Sequence, residues 1–473
     1  MLLVHVLPVL LLCIATTRAQ NVTSKPYQMS SRFGEKYDEA LEAIFSVAVR
    51  LEALLSDTGV KTSQNFMVSP LSMAVAVGEL MLGARGVLQQ QLYELLVVDS
   101  QANRSQSVRH IKHENNTDIP YYALHEQLGD LMQNLQERGA VSNTYTLKTA
   151  SVLFAQQNLS VNDDFRTNIK KFYGTNIEEL DFKNDPVGCE KIVNKWAHDN
   201  TQGLIKSILP GPLPAQTVGI LANAVYFRGD WEIPFSFEVN RKGVFHTSPT
   251  STVNVTYMMG EFENYKYVDS KRLNCRMVVI PYQNSELTMN IVLPNPDKDG
   301  DYDINQFTSS LRIKDLLELI QSAKDRKVFM FLPKMSLSNT INMLEPLRRY
   351  HKYKSDVGTV SSRNNDDELD RLDEKIELFK NTSSISDRSP TKLDLSGISE
   401  DPQFQISNIY QQMTLSVNEK GTEAAAVAAS AIDYILESVN FNVNRPFLFF
   451  IRHEATGATL FWGTIVNPIE TSD

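Results

Sequence analysis

Three kinds of residue in this 473-residue chain could take part in chemistry, and their spacing says which chemistry each could do. Six Asn-x-Ser/Thr sequons, at Asn21, Asn103, Asn115, Asn158, Asn254 and Asn381, could accept N-linked glycans, which would place them on the surface. Three cysteines, Cys13, Cys189 and Cys275, leave one disulfide arithmetically open once Cys13 is removed with a leader. A chain of this length needs no disulfide framework, so two free or partly buried thiols are expected. The third is a stretch, Asn418–Glu437, that contradicts itself. Its alanines favour a helix and Gly421 suits a hinge, yet apolar strand-like runs lie on both sides. Thr422, Ala424, Ala426 and Ala428 put a small residue at every second position. As a strand the segment would show one face of very little bulk, able to slide between two existing strands. Two readings stand at this point: an Ala-rich surface helix, or a segment that changes state.

Groups for turnover chemistry are missing. The sequence has no Gly-x-Ser-x-Gly elbow, no His-Glu-x-x-His helix, no phosphate-cradling glycine loop and no paired-cysteine metal pattern, which argues against an enzyme, a metal centre or a cofactor. A net charge of -10 argues against general nucleic-acid binding. With 42% hydrophobic and 22% charged residues the chain can bury a sizeable core.

The elements that would position these residues read as a mixture without regular alternation, which predicts an α+β architecture. Helical spacing occurs over Glu35–Leu55, Val161–Tyr173, Cys189–Thr201 and Ile313–Ala323, with Gly203 ending the third. Strands are expected at Thr146–Phe154, Gly219–Phe227, Thr252–Met259, Cys275–Tyr282, Leu287–Leu293 and Val328–Leu332, and as a hairpin at Phe447–Ile451 and Thr459–Val466. Ser69 and Pro70 join a short strand to Met73–Gly83, a nearly all-apolar helix that must be buried on most sides. Asn223 is the one polar residue of a buried strand, and so must find a hydrogen-bond partner.

Leu2–Ile14 is an apolar run followed by small residues at Thr17 and Ala19, the pattern of a secretory leader cut near Ala19, leaving 20–36 as an N-terminal tail. The run is too short for the ~20 apolar residues of a membrane span. Residues 99–118 carry Arg104, Arg109, His110, Lys112 and His113, which read either as a patch for a sulfated polysaccharide or as a solvated, glycosylated loop. Residues 350–390 form a polar insertion in which Leu369, Leu372, Ile376 and Phe379 fall at helical spacing: a partner-recruiting helix or a loosely docked excursion.

Four separated segments carry a family resemblance: Asn65–Ser72 (NFMVSPLS), Asn223–Trp231 (NAVYFRGDW), Asn418–Ala426 (NEKGTEAAA) and Phe441–Ile451 (FNVNRPFLFFI). In this order they resemble the serpins, from about Tyr37 to Pro468 apart from the insertion. The resemblance implies one domain over 37–470 with three β-sheets, about nine helices and an exposed reactive-centre loop at about 419–442. It further implies a monomeric, secreted inhibitor of serine proteases that acts as a suicide substrate. The protease attacks the loop, an acyl-enzyme forms, and the cut loop enters the main sheet with the protease attached. Glu419, Gly421, Thr422, Ala424, Ala426 and Ala428 match the family's hinge. Ser69, Pro70, Ser72 and Asn223 match the shutter beneath the sheet, and Trp231 and Lys334 the breach, with Lys334 pairing Glu419. Counting from Gly421 as in the family puts the cut bond between Ile435 and Leu436, which suits an elastase-like protease; cleavage after Tyr434 would suit a chymotrypsin-like one.

Two features depart from the family, the polar insertion at 350–390 and one shutter position. The shutter usually has a histidine where this chain has Gln411, whose amide can hydrogen-bond but cannot charge in the physiological range. The competing reading is a non-inhibitory secreted relative acting as a carrier or storage protein.

Overall fold

The computed structural model describes residues 34–56, 65–97, 121–142, 145–298, 300, 302–311, 313–357, 393–402, 404–422 and 438–469. Among these lie nine α-helices: α1 (Gly34–Ser56), α2 (Pro70–Gly83), α3 (Gly86–Leu96), α4 (Tyr122–Ser142), α5 (Asp163–Tyr173), α6 (Pro186–Asn200), α7 (Ile304–Ser310), α8 (Ile313–Ser322) and α9 (Leu344–Val357). The strands are β1 (Phe66–Val68), β2 (Tyr145–Gln156), β3 (Asn176–Leu180), β4 (Gly219–Asp230), β5 (Arg241–Ser248), β6 (Ser251–Ser270), β7 (Cys275–Pro281), β8 (Leu287–Pro294), β9 (Lys324–Pro333), β10 (Met335–Asn342), β11 (Asn408–Val417), β12 (Gly421–Thr422), β13 (Val439–Asn442), β14 (Phe447–His453) and β15 (Thr459–Ile465). The α+β architecture expected from the sequence is the one observed.

Helix α2 shows how local chemistry sets the centre of the molecule. Ser69 has extended backbone and its hydroxyl accepts from the Ser72 N–H, while Pro70 supplies the first helical residue. Every residue of α2 except Leu82 is buried, as an apolar sequence without a polar face requires. The main core forms around it, drawing on α1, α2 and both sheets.

One sheet has six strands in the order β10-β11-β4-β2-β3, with β12 added beside β4. The other has nine, in the order β1-β15-β14-β8-β7-β6-β9-β13, with β5 on β6. The twenty-residue β6 explains why three expected sheets appear as two. Its first part pairs with β5 and β9 and its last part with β7 and β9, so two of the three are hydrogen-bonded into one. The six-stranded sheet is covered on both faces. Along β4, Leu221, Val225 and Phe227 join the main core, whereas Ile220, Ala222 and Ala224 join a second cluster with Cys189, Val193 and Ala197 of α6. Two-sided burial is why this strand reads as a continuous apolar run.

Several sequence readings shift in detail. Helix α9 runs into the polar stretch as far as Val357, and its Tyr350 and His351 are buried, so structured chain continues past the expected start of the insertion. Gly203 has a left-handed φ of 81° and donates its N–H to the His198 carbonyl, which ends the α6 segment as expected. Residues 99–118, the leader and the 369–379 pattern lie outside the described residues.

Cys189 and Cys275 are both free and buried. Burial pushes both thiols up, Cys275 to about 12, so neither forms a thiolate at neutral pH. In the folded chain neither Cys189 nor Cys275 should therefore react with an aromatic disulfide reagent, and both should react after denaturation. Stoichiometric reaction of either thiol in the native state would contradict this packing.

Candidate functional site

The six-stranded sheet has a parallel seam flanked on both sides by antiparallel pairs; its other parallel pair, β2 with β3, lies at the edge. Strand β4 pairs with β2 antiparallel and β10 with β11 antiparallel, but β11 and β4 run parallel, from Asn408 opposite Ile220 to Thr414 opposite Tyr226. At the far end of β4 a second ladder begins: Gly421 of β12 stands opposite Asp230 and Thr422 opposite Gly229, antiparallel. Phe227 and Arg228 separate the two ladders.

Beneath the seam, side chains from α2 bridge both of its strands. Gln411 of β11 lies directly opposite Asn223 of β4. Its amide oxygen accepts from the Ser69 N–H at 3.0 Å, and its amide nitrogen donates to the Ser69 carbonyl at 3.4 Å and to Ser72 Oγ at 3.2 Å. The Ser72 hydroxyl in turn donates to Asn223 Oδ1. The structure thus brings together Ser69, Pro70, Ser72, Asn223 and Gln411, all buried. Gln411 makes three hydrogen bonds here with no need of a charge.

At the open end of the seam, Trp231 is fully buried and stacks on Tyr282, with ring centroids 4.6 Å apart. Its indole N–H donates to the Asn418 carbonyl at 3.0 Å and its backbone N–H to the Lys420 carbonyl at 2.8 Å. A tight turn follows, in which the Asn418 and Gly421 backbones bond reciprocally. Gly421 has φ 149°, and a Cβ there would lie 2.2 Å from the Gly229 carbonyl oxygen, so only glycine lets the chain pass β4 this closely. Glu419 is 1% exposed. One carboxylate oxygen lies 2.8 Å from Lys334 Nζ and also accepts from the Asn240 side chain. Its other oxygen is buried without a hydrogen-bond partner among the described residues, as are Asp230 Oδ1 and Asn240 Oδ1.

The family resemblance points to Glu419, Lys334 and Trp231, but not to Asn240, which no motif marks. Of the other hinge residues, Thr422 pairs in β12, whereas Ala424, Ala426, Ala428, Tyr434, Ile435 and Leu436 lie outside the described residues. Among the sequons, Asn158 sits exposed in a turn with φ 66° and Asn254 is exposed on β6. Asn21, Asn103, Asn115 and Asn381 lie outside.

The Lys334–Glu419 pair gives a signed prediction. Burial raises the Glu419 carboxyl, but hydrogen bonds from Lys334, the backbone and Asn240 outweigh it and hold the group below its ordinary 4.5. A lowered value means stabilisation that is present above pH 4.5 and lost as pH falls through the folded value. Lys334→Met should destabilise the chain by about 1–3 kcal/mol at pH 7, the cost of a buried acceptor left unmet. Thermal midpoints of wild type and variant should converge well below pH 4.5. A constant gap between them down to the acid limit would contradict the assignment.

Comparison with known proteins agrees with this geometry. The sequence profile described as "Serpin (serine protease inhibitor)" matches residues 42–352 and 388–468, passing over much of the polar insertion. The chain is similar to the leukocyte elastase inhibitor of Xenopus tropicalis, 28% identical over 406 residues that cover 85% of this chain and 93% of that protein. Solved structures with the same fold include human kallistatin (TM-score 0.69, 23% identity, 92% of this chain and 100% of that one). Human thyroxine-binding globulin is a second (TM-score 0.70, 23% identity, 91% and 100%). With most of its length matched by the family profile, and with the sheet, seam and hinge that its four motifs build, the chain belongs to the serpin family.

Proposed function

We propose that this chain presents the Ile435–Leu436 bond to an elastase-like serine protease outside the cell and traps the enzyme by inserting residues beyond Thr422 into the β11–β4 seam. The chain is a protease inhibitor of the suicide-substrate type and not an enzyme: the catalytic groups are the protease's own. The protease serine adds to the Ile435 carbonyl and its histidine takes the proton. The Ile435–Leu436 bond then breaks with the new amine on Leu436, leaving Ile435 as the acyl group.

The observation that carries the reading is the register of β12. Continuing from Gly421 opposite Asp230 and Thr422 opposite Gly229, Ala424 would meet Phe227, Ala426 would meet Val225 and Ala428 would meet Asn223. Directly opposed residues point to the same face. Phe227 and Val225 belong to the main core, so the alanines would enter on the crowded side above α2, where only small groups fit. Residues 425–431 would take over the rungs Tyr226–Ile220 that β11 now holds. The parallel ladder would be replaced by antiparallel pairing on both sides of the new strand, a gain in hydrogen bonds and in their geometry. Residue 432 would reach Gly219, the first residue of β4, so the acylated Ile435 would end beyond the far end of β4, on the order of 40 Å along the strand from Thr422.

Further support comes from the incompletely satisfied hinge. Buried oxygens on Asp230, Asn240 and Glu419 that find no partner among the described residues each cost about 1–3 kcal/mol, strain that opening would relieve. An apolar Ile435 suits a small apolar specificity pocket, and a relative named for leukocyte elastase inhibition points the same way; Tyr434 keeps a chymotrypsin-like enzyme as the second choice. The leader and exposed sequons support action outside the cell.

Mass spectrometry of the full chain after incubation with elastase and with chymotrypsin tests the bond and the outcome together. An adduct that survives denaturant, with release of the fragment beginning at Leu436, is expected. Ala426→Arg should still be cut but form at least a hundredfold less adduct, because burying an unpaired charge costs well over 3 kcal/mol. A loop cut quantitatively without adduct by every protease would favour the carrier or storage reading.

A further inference from the structure

The polar row that crosses the seam does not stop at Asn223. Ser151 of β2 stands directly opposite Asn223 in the β2–β4 ladder, and its hydroxyl donates to the Glu79 carboxyl group of α2 at 2.9 Å. The second Glu79 oxygen accepts from the hydroxyl of Thr175, in the turn between α5 and β3. Glu79 is 1% exposed, and no cation among the described residues pairs with it. Helix α2 therefore grips three adjacent strands: β11 through Gln411, β4 through Asn223 and β2 through Ser151.

We infer that Glu79 is a positioning residue for loop insertion: it clamps β2 and the approach to β3 onto α2, and so restrains the parting of β4 from β11. The inference rests on the insertion reading above. Admitting a strand moves β4 away from β11 by about one strand spacing, ~4.8 Å, which no hydrogen bond of ordinary length survives. Because α2 is bonded on both sides of the seam, one side must let go. Without Glu79 the departing side is held to α2, among the described residues, by a side-chain hydrogen bond at Asn223.

The surroundings make this clamp sensitive to pH. Two titratable groups face it, Tyr173 of α5 and His125 of α4, which bond each other at 2.6 Å; the missing side chain of Gly78 leaves room for the phenol oxygen, since a Cβ there would lie 2.3 Å from it. Burial holds the Tyr173 phenol well above its ordinary value and the His125 ring down at about 3, so both stay neutral through the physiological range. Ser151 and Thr175 do not titrate. Burial pushes the Glu79 carboxyl up to about 7, against the opposite pull of the Thr175 and Ser151 hydrogen bonds. A raised carboxyl binds its proton more tightly in the closed sheet than after release towards its ordinary 4.5. The closed sheet is then most favoured below pH 4.5, loses that preference as pH rises to about 7, and is level above it.

A synthetic peptide with the sequence of residues 421–433 separates the clamp from the chemistry of a protease, whose own histidine titrates in the same range. Its annealing to the full chain is followed by a fluorophore on the peptide between pH 4.5 and 8. The wild-type rate should rise on the order of tenfold up to about pH 7 and then level off. Glu79→Gln should show no such rise, and Ser151→Ala should anneal faster than wild type at every pH. Equal slopes for wild type and Glu79→Gln, or a Ser151→Ala rate no greater than wild type, would overturn the clamp. A peptide that anneals to no variant would overturn the insertion reading, and the clamp with it.

Discussion

The Ser72 hydroxyl, which accepts from Gln411 and donates to Asn223, is the contact on which the rest of the sheet depends. It sits beneath the one parallel seam between two antiparallel pairs, where pairing is slightly less stable per residue than on either side. The neighbouring β2–β4 ladder runs from Tyr145 to Ala155, whereas the seam holds only from Asn408 to Thr414 before its strands diverge. A sheet built this way has a chosen line of weakness. Buried hydrogen bonds close it from below, and their strength depends on excluding water. Replacing a chargeable ring with the Gln411 amide removes one route by which protons could open the seam, while Glu79 introduces another further along the same row.

The hinge at the top of the seam has the opposite character. Glu419 is held by Lys334 and Asn240 but keeps one oxygen unmet among the described residues, and Gly421 passes β4 at a separation no other residue could tolerate. The shutter is satisfied and the hinge is not. That difference gives a direction to the motion: entry begins where the closed state is least complete and runs towards where it is best bonded.

Much of this was legible in the sequence because each feature has a local signature. Ser69 and Pro70 cap a helix, an all-apolar run demands burial, and a lone Asn223 in a buried strand demands a partner. The small alternating residues of the hinge left a surface helix and a strand face both open, and of them only Thr422 falls within the described residues. What stayed hidden is what arises between elements. The merging of two sheets through β6 depends on which edges its two halves meet. Asn240 is an ordinary surface-type residue until Glu419 folds against it. Glu79 did leave a trace, as the one charged residue in an otherwise apolar helix, but its donors Ser151 and Thr175 are far away in sequence and unremarkable there. Strand β11 carries no clean alternation of apolar and polar residues, because its Gln411 and Gln412 are both buried and face neighbours rather than water.

The most direct test of the account is the structure of the chain after cleavage of its loop. The account predicts a new strand between β11 and β4 in the register set by β12, with Ala424, Ala426 and Ala428 opposite Phe227, Val225 and Asn223, and with Gln411 and Asn223 no longer joined through Ser72. A cleaved chain in which Asn408–Thr414 still pair with Ile220–Tyr226 would contradict it.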